Sequence, residues 1–152
     1  MGTHMTNMDF ELAFRDKGIP FFRADVGDRN VIRAMKERGW LLGGEGSGHI
    51  LNLKKTNTGD GLITALQILE IINRAKKSLA EIGNAVSKYP QILKNIRCSD
   101  PESILANHTF CAEIRSCGKR LDDKGRILVR KSGTEPLVRI MVEGLSLIHI
   151  SE

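Results

Sequence analysis

The sequence predicts an α/β partial domain followed by a small α+β domain, and three observations carry that reading. Short strand-like runs alternate with helical ones as far as Ser87. The rhythm then changes, at Tyr89-Pro90, to strand, helix, strand, strand. Two strand-like runs then flank the polar loop 132–136, as in an antiparallel hairpin. The domains are accordingly drawn at residues 1–87 and 88–144, with residues 145–152 as a tail of non-native look.

Each element has a local reason. Residues 20–26 are rich in strand formers and bounded by turn residues, which predicts a strand. Asp28 is placed to cap the helix that follows, with Val31, Ile32 and Met35 on one face and Gly39 as its stop. Trp40, Leu41 and Leu42 open a second strand leading into a glycine-rich loop, and residues 49–53 form a third. A helix over residues 61–75, begun by Asp60, is apolar around most of its circumference, which predicts burial on several sides. Ser78 caps a shorter amphipathic helix. Beyond the boundary, residues 91–97 alternate as a strand and residues 101–121 read as mainly helical. Residues 126–131 and 137–143 form an antiparallel hairpin around the loop 132–136. The first part opens inside a βα pattern with no leading strand, and the second ends on an uncovered strand, so the chain reads as a fragment.

Composition excludes several classes. With 152 residues, 41% of them hydrophobic and 27% charged, the chain has a globular balance, and no apolar run reaches a membrane span. Cys98, Cys111 and Cys117 form no Cys-x-x-Cys pair, which fits a reducing cytoplasm rather than a disulfide framework or a standard zinc site. Residues 115–139 hold eight basic residues against three acids, so the net charge of +5 lies in this one segment. Such a patch calls for an anionic partner. A basic nucleic-acid-binding module is one alternative, but with seven aromatics in the whole chain there is little for bases to stack on. A small phosphorylated ligand is the more economical partner.

Two motifs carry chemistry. The first runs from Arg130 to Arg139: two arginines bracket a loop in which Ser132, Gly133 and Thr134 offer hydroxyls and approachable backbone N–H groups. A phosphate dianion asks for that set, although a solvated hairpin turn would use the same residue types. The second is the loop 43–48, with four glycines in six positions, followed by His49. Glu45 and Ser47 suit sugar hydroxyls and His49 is able to move protons near neutral pH; a flexible turn with a structural histidine is the plainer alternative. Gly27-Asp28-Arg29 reads as a helix start with a capping aspartate, and His108, Cys111 and Cys117 as ordinary residues of one helix.

Taken together these segments resemble the C-terminal part of bacterial phosphoglucosamine mutases, of the α-D-phosphohexomutase superfamily. The residues that carry the resemblance are Gly2-Thr3-His4-Met5-Thr6-Asn7, Val26-Gly27-Asp28-Arg29, the Gly-Glu-x-Ser-Gly-His loop at 44–49, Thr58-Gly59-Asp60-Gly61, Tyr89-Pro90-Gln91 and the run from Arg130 to Pro136. The resemblance implies the later part of the superfamily's sugar-reading domain three, then domain four, truncated at its C-terminal helix. It implies that Glu45 and Ser47 contact sugar hydroxyls, that His49 lies near the reacting end as a possible acid or base, and that Arg130, Ser132, Gly133, Thr134 and Arg139 hold the phosphate that is not transferred. The implied reaction interconverts glucosamine 6-phosphate and glucosamine 1-phosphate through a phosphoserine and Mg2+. The aspartate-rich metal loop and the serine loop have no counterpart in these 152 residues, so no metal ligands are assigned and the chain alone is predicted inactive. Gly46 stands where phosphoglucosamine mutases usually carry Gln or Asn, which keeps the phosphomannomutase/phosphoglucomutase branch as the alternative. Ser-Gly-Thr-Glu-Pro and Thr-Gly-Asp-Gly favour the glucosamine branch.

Overall fold

A computed structural model describes residues 1–84 and 86–145. The chain divides into two compact units, Met1–Ser87 and a second beginning at Lys88.

The first unit opens with a strand the sequence did not reveal. β1 (Gly2–Thr3) leads into α1 (Met8–Asp16) and returns as β2 (Arg23–Ala24), which lies parallel to β1. A parallel return needs a crossover, and α1 provides it. Asn7 starts the helix by accepting the Asp9 N–H at 3.2 Å. The expectation of a βα pattern without an opening strand is thus corrected. The strand expected over residues 20–26 contracts to Arg23–Ala24, because only Gly2 and Thr3 are there to pair with it. Arg23 fastens the turn after β1: Nη1 donates to the Thr3 and Thr6 carbonyls, and Nε reaches Glu11 at 2.7 Å.

α2 (Asp28–Arg38) ends where Gly39 adopts φ 65°, a left-handed conformation that glycine takes without cost. Val31, Ala34 and Met35 are its buried face, with Ile32 at the margin. β3 (Leu42–Gly44) and β4 (Ile50–Asn52) form an antiparallel hairpin. β3 sits directly against this face: a Cβ on Gly43 would lie 2.6 Å from Met35 Sδ. Met1 links the two small ladders, donating from its ammonium to Leu42 O at 3.1 Å and accepting the Gly44 N–H at 3.2 Å. Burial lowers the pKa of that ammonium from its ordinary value. The core is small: Ala24, Val31, Ala34, Met35 and Leu51.

α3 (Gly61–Ala75) has the predicted bounds and the predicted cap, Asp60 accepting the Leu62 and Ile63 N–H groups at 2.9 and 3.0 Å. Its burial differs from expectation. None of its residues is buried, and Leu62, Leu66 and Leu69 are 80%, 66% and 60% exposed. The apolar circumference exceeds what the unit covers, since β4 is the principal element packed against the helix. α4 (Leu79–Gly83) carries a full capping box between Ser78 and Glu81. The Ser78 hydroxyl, then its backbone N–H, lowers the Glu81 carboxyl below its usual range.

In the second unit β5 (Gln91–Arg97) leads to α5 (Pro101–Ala106), capped by Asp100, and α6 (His108–Leu121). The helical stretch breaks at Asn107, whose side chain caps α6 by accepting the Phe110 N–H at 2.9 Å. A short 3-10 turn, Asp122–Lys124, precedes β6 (Gly125–Lys131), and the predicted hairpin closes with β7 (Leu137–Gly144). The sheet order is β5-β7-β6, antiparallel throughout, so β7 is central and carries the buried Leu137, Val138, Met141 and Glu143. Both helices pack against β6. Arg126 and Glu143 face each other in register, and the Arg126 guanidinium pairs with the fully buried carboxylate. Of the tail, Leu145 donates its N–H to Lys124 O at 2.9 Å; residues 146–152 lie outside the described residues.

The size of the first core makes it sensitive. Leu51→Ala is expected to cost about 2–5 kcal/mol in urea unfolding, because Leu51 is fully buried. Leu66→Ala on the exposed face of α3 is expected to stay within about 0.5 kcal/mol of wild type. Equal losses at the two positions would put α3 back in the core.

Candidate functional site

The candidate residues fall in two groups, one in each unit. In the second unit, the register of the hairpin sets the geometry. Arg130 on β6 and Arg139 on β7 are Cα partners, so both side chains leave the same face of the sheet. Like charges directly opposite destabilise a sheet, a cost that the Glu135 carboxylate beside Arg139 offsets in part. Arg139 is engaged only loosely: Nη2 lies 3.5 Å from Ser132 Oγ and 3.3 Å from Glu135 Oε2. Its Nε is buried with no hydrogen-bond partner among the described residues. A buried donor left unpaired carries a penalty of about 1–3 kcal/mol, more for a charged group.

The loop between the strands is held at its base. Ser132 N–H donates to Leu137 O at 3.0 Å, and Leu137 N–H to Glu135 O at 2.8 Å. At its tip, a Cβ on Gly133 would meet nothing within 4 Å, so the backbone there is open to a ligand. Thr134 N–H turns back toward Ser132 Oγ at 3.5 Å. The structure thus brings Arg130, Ser132, Gly133, Thr134 and Arg139 onto one hairpin. The rest of the basic segment is partly consumed internally, Lys131 by Glu102 and Arg126 by Glu143.

In the first unit, Glu45, Ser47 and His49 lie on the loop joining β3 to β4. Glu45 N–H donates to His49 O at 3.0 Å and Gly48 N–H to Glu45 O at 3.1 Å, so the loop closes on itself. Two glycines are required here: Gly48 has φ 95°, and a Cβ on Gly44 would come within 2.8 Å of His49 O. Ser47 is exposed at the tip. Glu45 departs from a simple ligand role, because Oε1 accepts the Gly27 N–H and ties this loop to the start of α2. Asp28 corrects the sequence reading. The N-cap of α2 is Gly27, with no side-chain cap bond, and the Asp28 carboxylate faces His49 instead. Its two oxygens lie 3.1 and 3.0 Å from His49 Nδ1. Sequence reasoning passed over Asp28 as a cap; its partner, 21 positions away, gave no local signal.

His108 starts α6, Cys111 Sγ donates to Leu105 O at 3.1 Å, and Cys117 Sγ accepts from Arg120. The three cysteines are free. No group of three or more His, Cys, Asp or Glu suited to a metal ion occurs among the described residues. No helix among them is long and apolar enough to cross a membrane.

Each of the two units matches a known domain. Residues 1–89 match the phosphoglucomutase/phosphomannomutase alpha/beta/alpha domain III, and residues 93–147 match the C-terminal domain of the same proteins. The chain belongs to the phosphoglucomutase/phosphomannomutase family. It is 52% identical over 143 residues to the phosphoglucosamine mutase of Herminiimonas arsenicoxydans, covering 94% of this chain and 32% of that one. The phosphoglucosamine mutase of Pasteurella multocida is 51% identical, with the same coverages. The chain therefore spans about a third of the length of the curated relatives it matches. Among solved structures, Aspergillus fumigatus N-acetylphosphoglucosamine mutase in complex with GlcNAc-6P and magnesium superposes with a TM-score of 0.81 at 17% identity, covering 97% of this chain and 38% of that one. A phosphoglucomutase/phosphomannomutase family protein from Burkholderia thailandensis gives 0.73 at 22% identity, covering 97% and 33%. These likenesses are ones of fold.

The tether from Glu45 to Gly27 is directly testable. A hydrogen bond to a charged group contributes roughly 1.5–3 kcal/mol, and part exposure sets this one at the low end. Glu45→Ala is expected to speed hydrogen exchange at the Gly27 amide about tenfold while α2 keeps its protection. An unchanged Gly27 amide would mean that the carboxylate does not hold the loop.

Proposed function

We propose that this chain is the sugar- and phosphate-binding portion of a phosphoglucosamine mutase, an isomerase that interconverts glucosamine 6-phosphate and glucosamine 1-phosphate. The observation that carries the reading is the cross-strand pair Arg130 and Arg139, with Arg139 Nε buried and unpartnered among the described residues. Relatives named phosphoglucosamine mutase at about half identity supply the choice of substrate.

In this reading Arg130 and Arg139 grip the phosphate that stays on the sugar. A guanidinium offers a planar two-pronged contact, and charge-assisted bonds of this kind are short and strong. Ser132 and Thr134 add hydroxyls, and the open backbone at Gly133 adds an N–H donor. Glu45, held by one oxygen on Gly27, and Ser47 at the loop tip accept or donate to sugar hydroxyls. His49 exchanges a proton near the reacting end, an imidazole being able both to accept and to donate one. Magnesium, which the resemblance gives to the parent enzyme, finds no fitting ligand set among the described residues, so these roles are those of the chain's own side chains. Partner and place follow from the same reading: a hexosamine phosphate rather than nucleic acid, in the cytoplasm.

Adding glucosamine 6-phosphate to labelled protein is expected to move the amide resonances of Ser132, Gly133 and Thr134. Arg139→Ala is expected to abolish the shifts. Arg139→Lys is expected to weaken binding about tenfold, because a point charge makes one contact where the fork makes two. Shifts spread over residues 119–126 that bypass the loop would make the basic segment a generic anion surface. The purified chain alone is expected to bind without turnover, since its sequence contains no Asp-x-Asp-x-Asp run to hold the metal that offsets phosphoryl charge. Formation of glucosamine 1-phosphate by the chain, free of host enzyme, would contradict this.

A further inference from the structure

Three segments of the first unit converge on one imidazole. Asp28 opens α2, but its side chain makes no cap bond; both carboxylate oxygens instead lie within 3.1 Å of His49 Nδ1. The hairpin loop that carries His49 is fixed to the residue before Asp28, through Glu45 and the Gly27 N–H. The turn before α3 closes on the pair from a third direction: a Cβ on Gly59 would lie 2.9 Å from Asp28 Oδ2 and 3.6 Å from His49 Cβ. An ordinary surface ion pair joins long, mobile side chains and contributes little. This one joins a short carboxylate, 30% exposed, to the ring of a residue whose backbone carbonyl closes the loop.

A carboxylate facing a neutral ring nitrogen can only accept, so that nitrogen must carry the hydrogen. We propose that Asp28 is the positioning residue for His49: it holds Nδ1 as the protonated nitrogen and leaves the Nε2 lone pair to face a bound ligand's hydroxyl or phosphoryl oxygen. Free neutral imidazole favours the opposite tautomer, with hydrogen on Nε2, so the pairing reverses an intrinsic preference. The same logic operates wherever a carboxylate orients a proton-handling histidine: the acid fixes tautomer and ring orientation and is not itself protonated. Nε2 has no protein partner among the described residues, and the ring is 58% exposed, so that edge is accessible. The inference deepens the function proposed above and rests on it only for what Nε2 meets. The tautomer itself is a property of the free chain.

The test is a long-range proton–nitrogen correlation spectrum of the full chain, with 15N-labelled histidine, at a pH where the rings are neutral. In wild type, His49 Nδ1 is expected to give the signature of a protonated nitrogen and Nε2 that of an unprotonated one. In Asp28→Ala the assignment is expected to reverse, with His4 and His108 unchanged as internal references. Helix α2 should tolerate this variant, because Asp28 supplies no cap bond. Asp28→Asn, of the same shape but able to donate as well as accept, is expected to give a mixture of tautomers and serves if Asp28→Ala does not fold. A wild-type ring protonated on Nε2, or a signature unaltered by the substitution that folds, would overturn the inference. Failure of glucosamine 6-phosphate to shift Ser132–Thr134 would count against the proposed function, and the tautomer result would be read independently of it.

Discussion

Two arginines set opposite one another by strand register are the constraint on which the second unit turns. Arg130 and Arg139 occupy opposed positions of the β6–β7 hairpin, so neither can leave the other without a slip of the ladder. A slip of β7 by one residue would turn its side chains to the opposite face, taking the buried Leu137, Met141 and Glu143 out of place. The apolar alternation of β7 and the buried Arg126–Glu143 pair thus fix the register, and the register fixes the arginines. Charge repulsion is accepted at one end of the hairpin because burial at the other end determines the geometry. An anion between the two arginines would relieve that repulsion.

The first unit solves a different problem with similar means. Its core holds few side chains, yet the loop 45–49 is held in place by short polar ties: Glu45 to Gly27, His49 to Asp28, and the turn within the loop itself. Such ties suit a loop that meets a ligand, because they set side-chain positions without burying the loop. Gly59 and Gly43 matter for the same reason, each allowing a neighbouring segment to come closer than a side chain would permit.

Much of this was legible in the sequence. The bounds of α3, its Asp60 cap, the Gly39 stop and the β6–β7 hairpin all follow from local rules, since caps, left-handed glycines and alternation act over a few residues. The candidate phosphate residues were legible because they are contiguous. What escaped was long-range. Asp28 looks like a helix cap from its neighbours alone, and only the folded chain shows that its carboxylate faces His49. β1 is two residues long, too short for any periodicity to declare it. The apolar pattern of α3 states which side chains are able to be buried, but not that this unit covers so few of them.

The central claim, that the paired arginines form an anion site, is tested most directly by thermal unfolding with and without inorganic phosphate. A ligand that binds only the folded state raises its stability by RT ln(1 + [L]/Kd), so phosphate should raise the melting temperature of the wild-type chain in a concentration-dependent manner. Arg130→Ala should melt at or above the wild-type temperature in the absence of phosphate, having lost a like-charge neighbour, and should show no rise when phosphate is added. A phosphate-dependent rise of the same size in Arg130→Ala as in wild type would contradict the account.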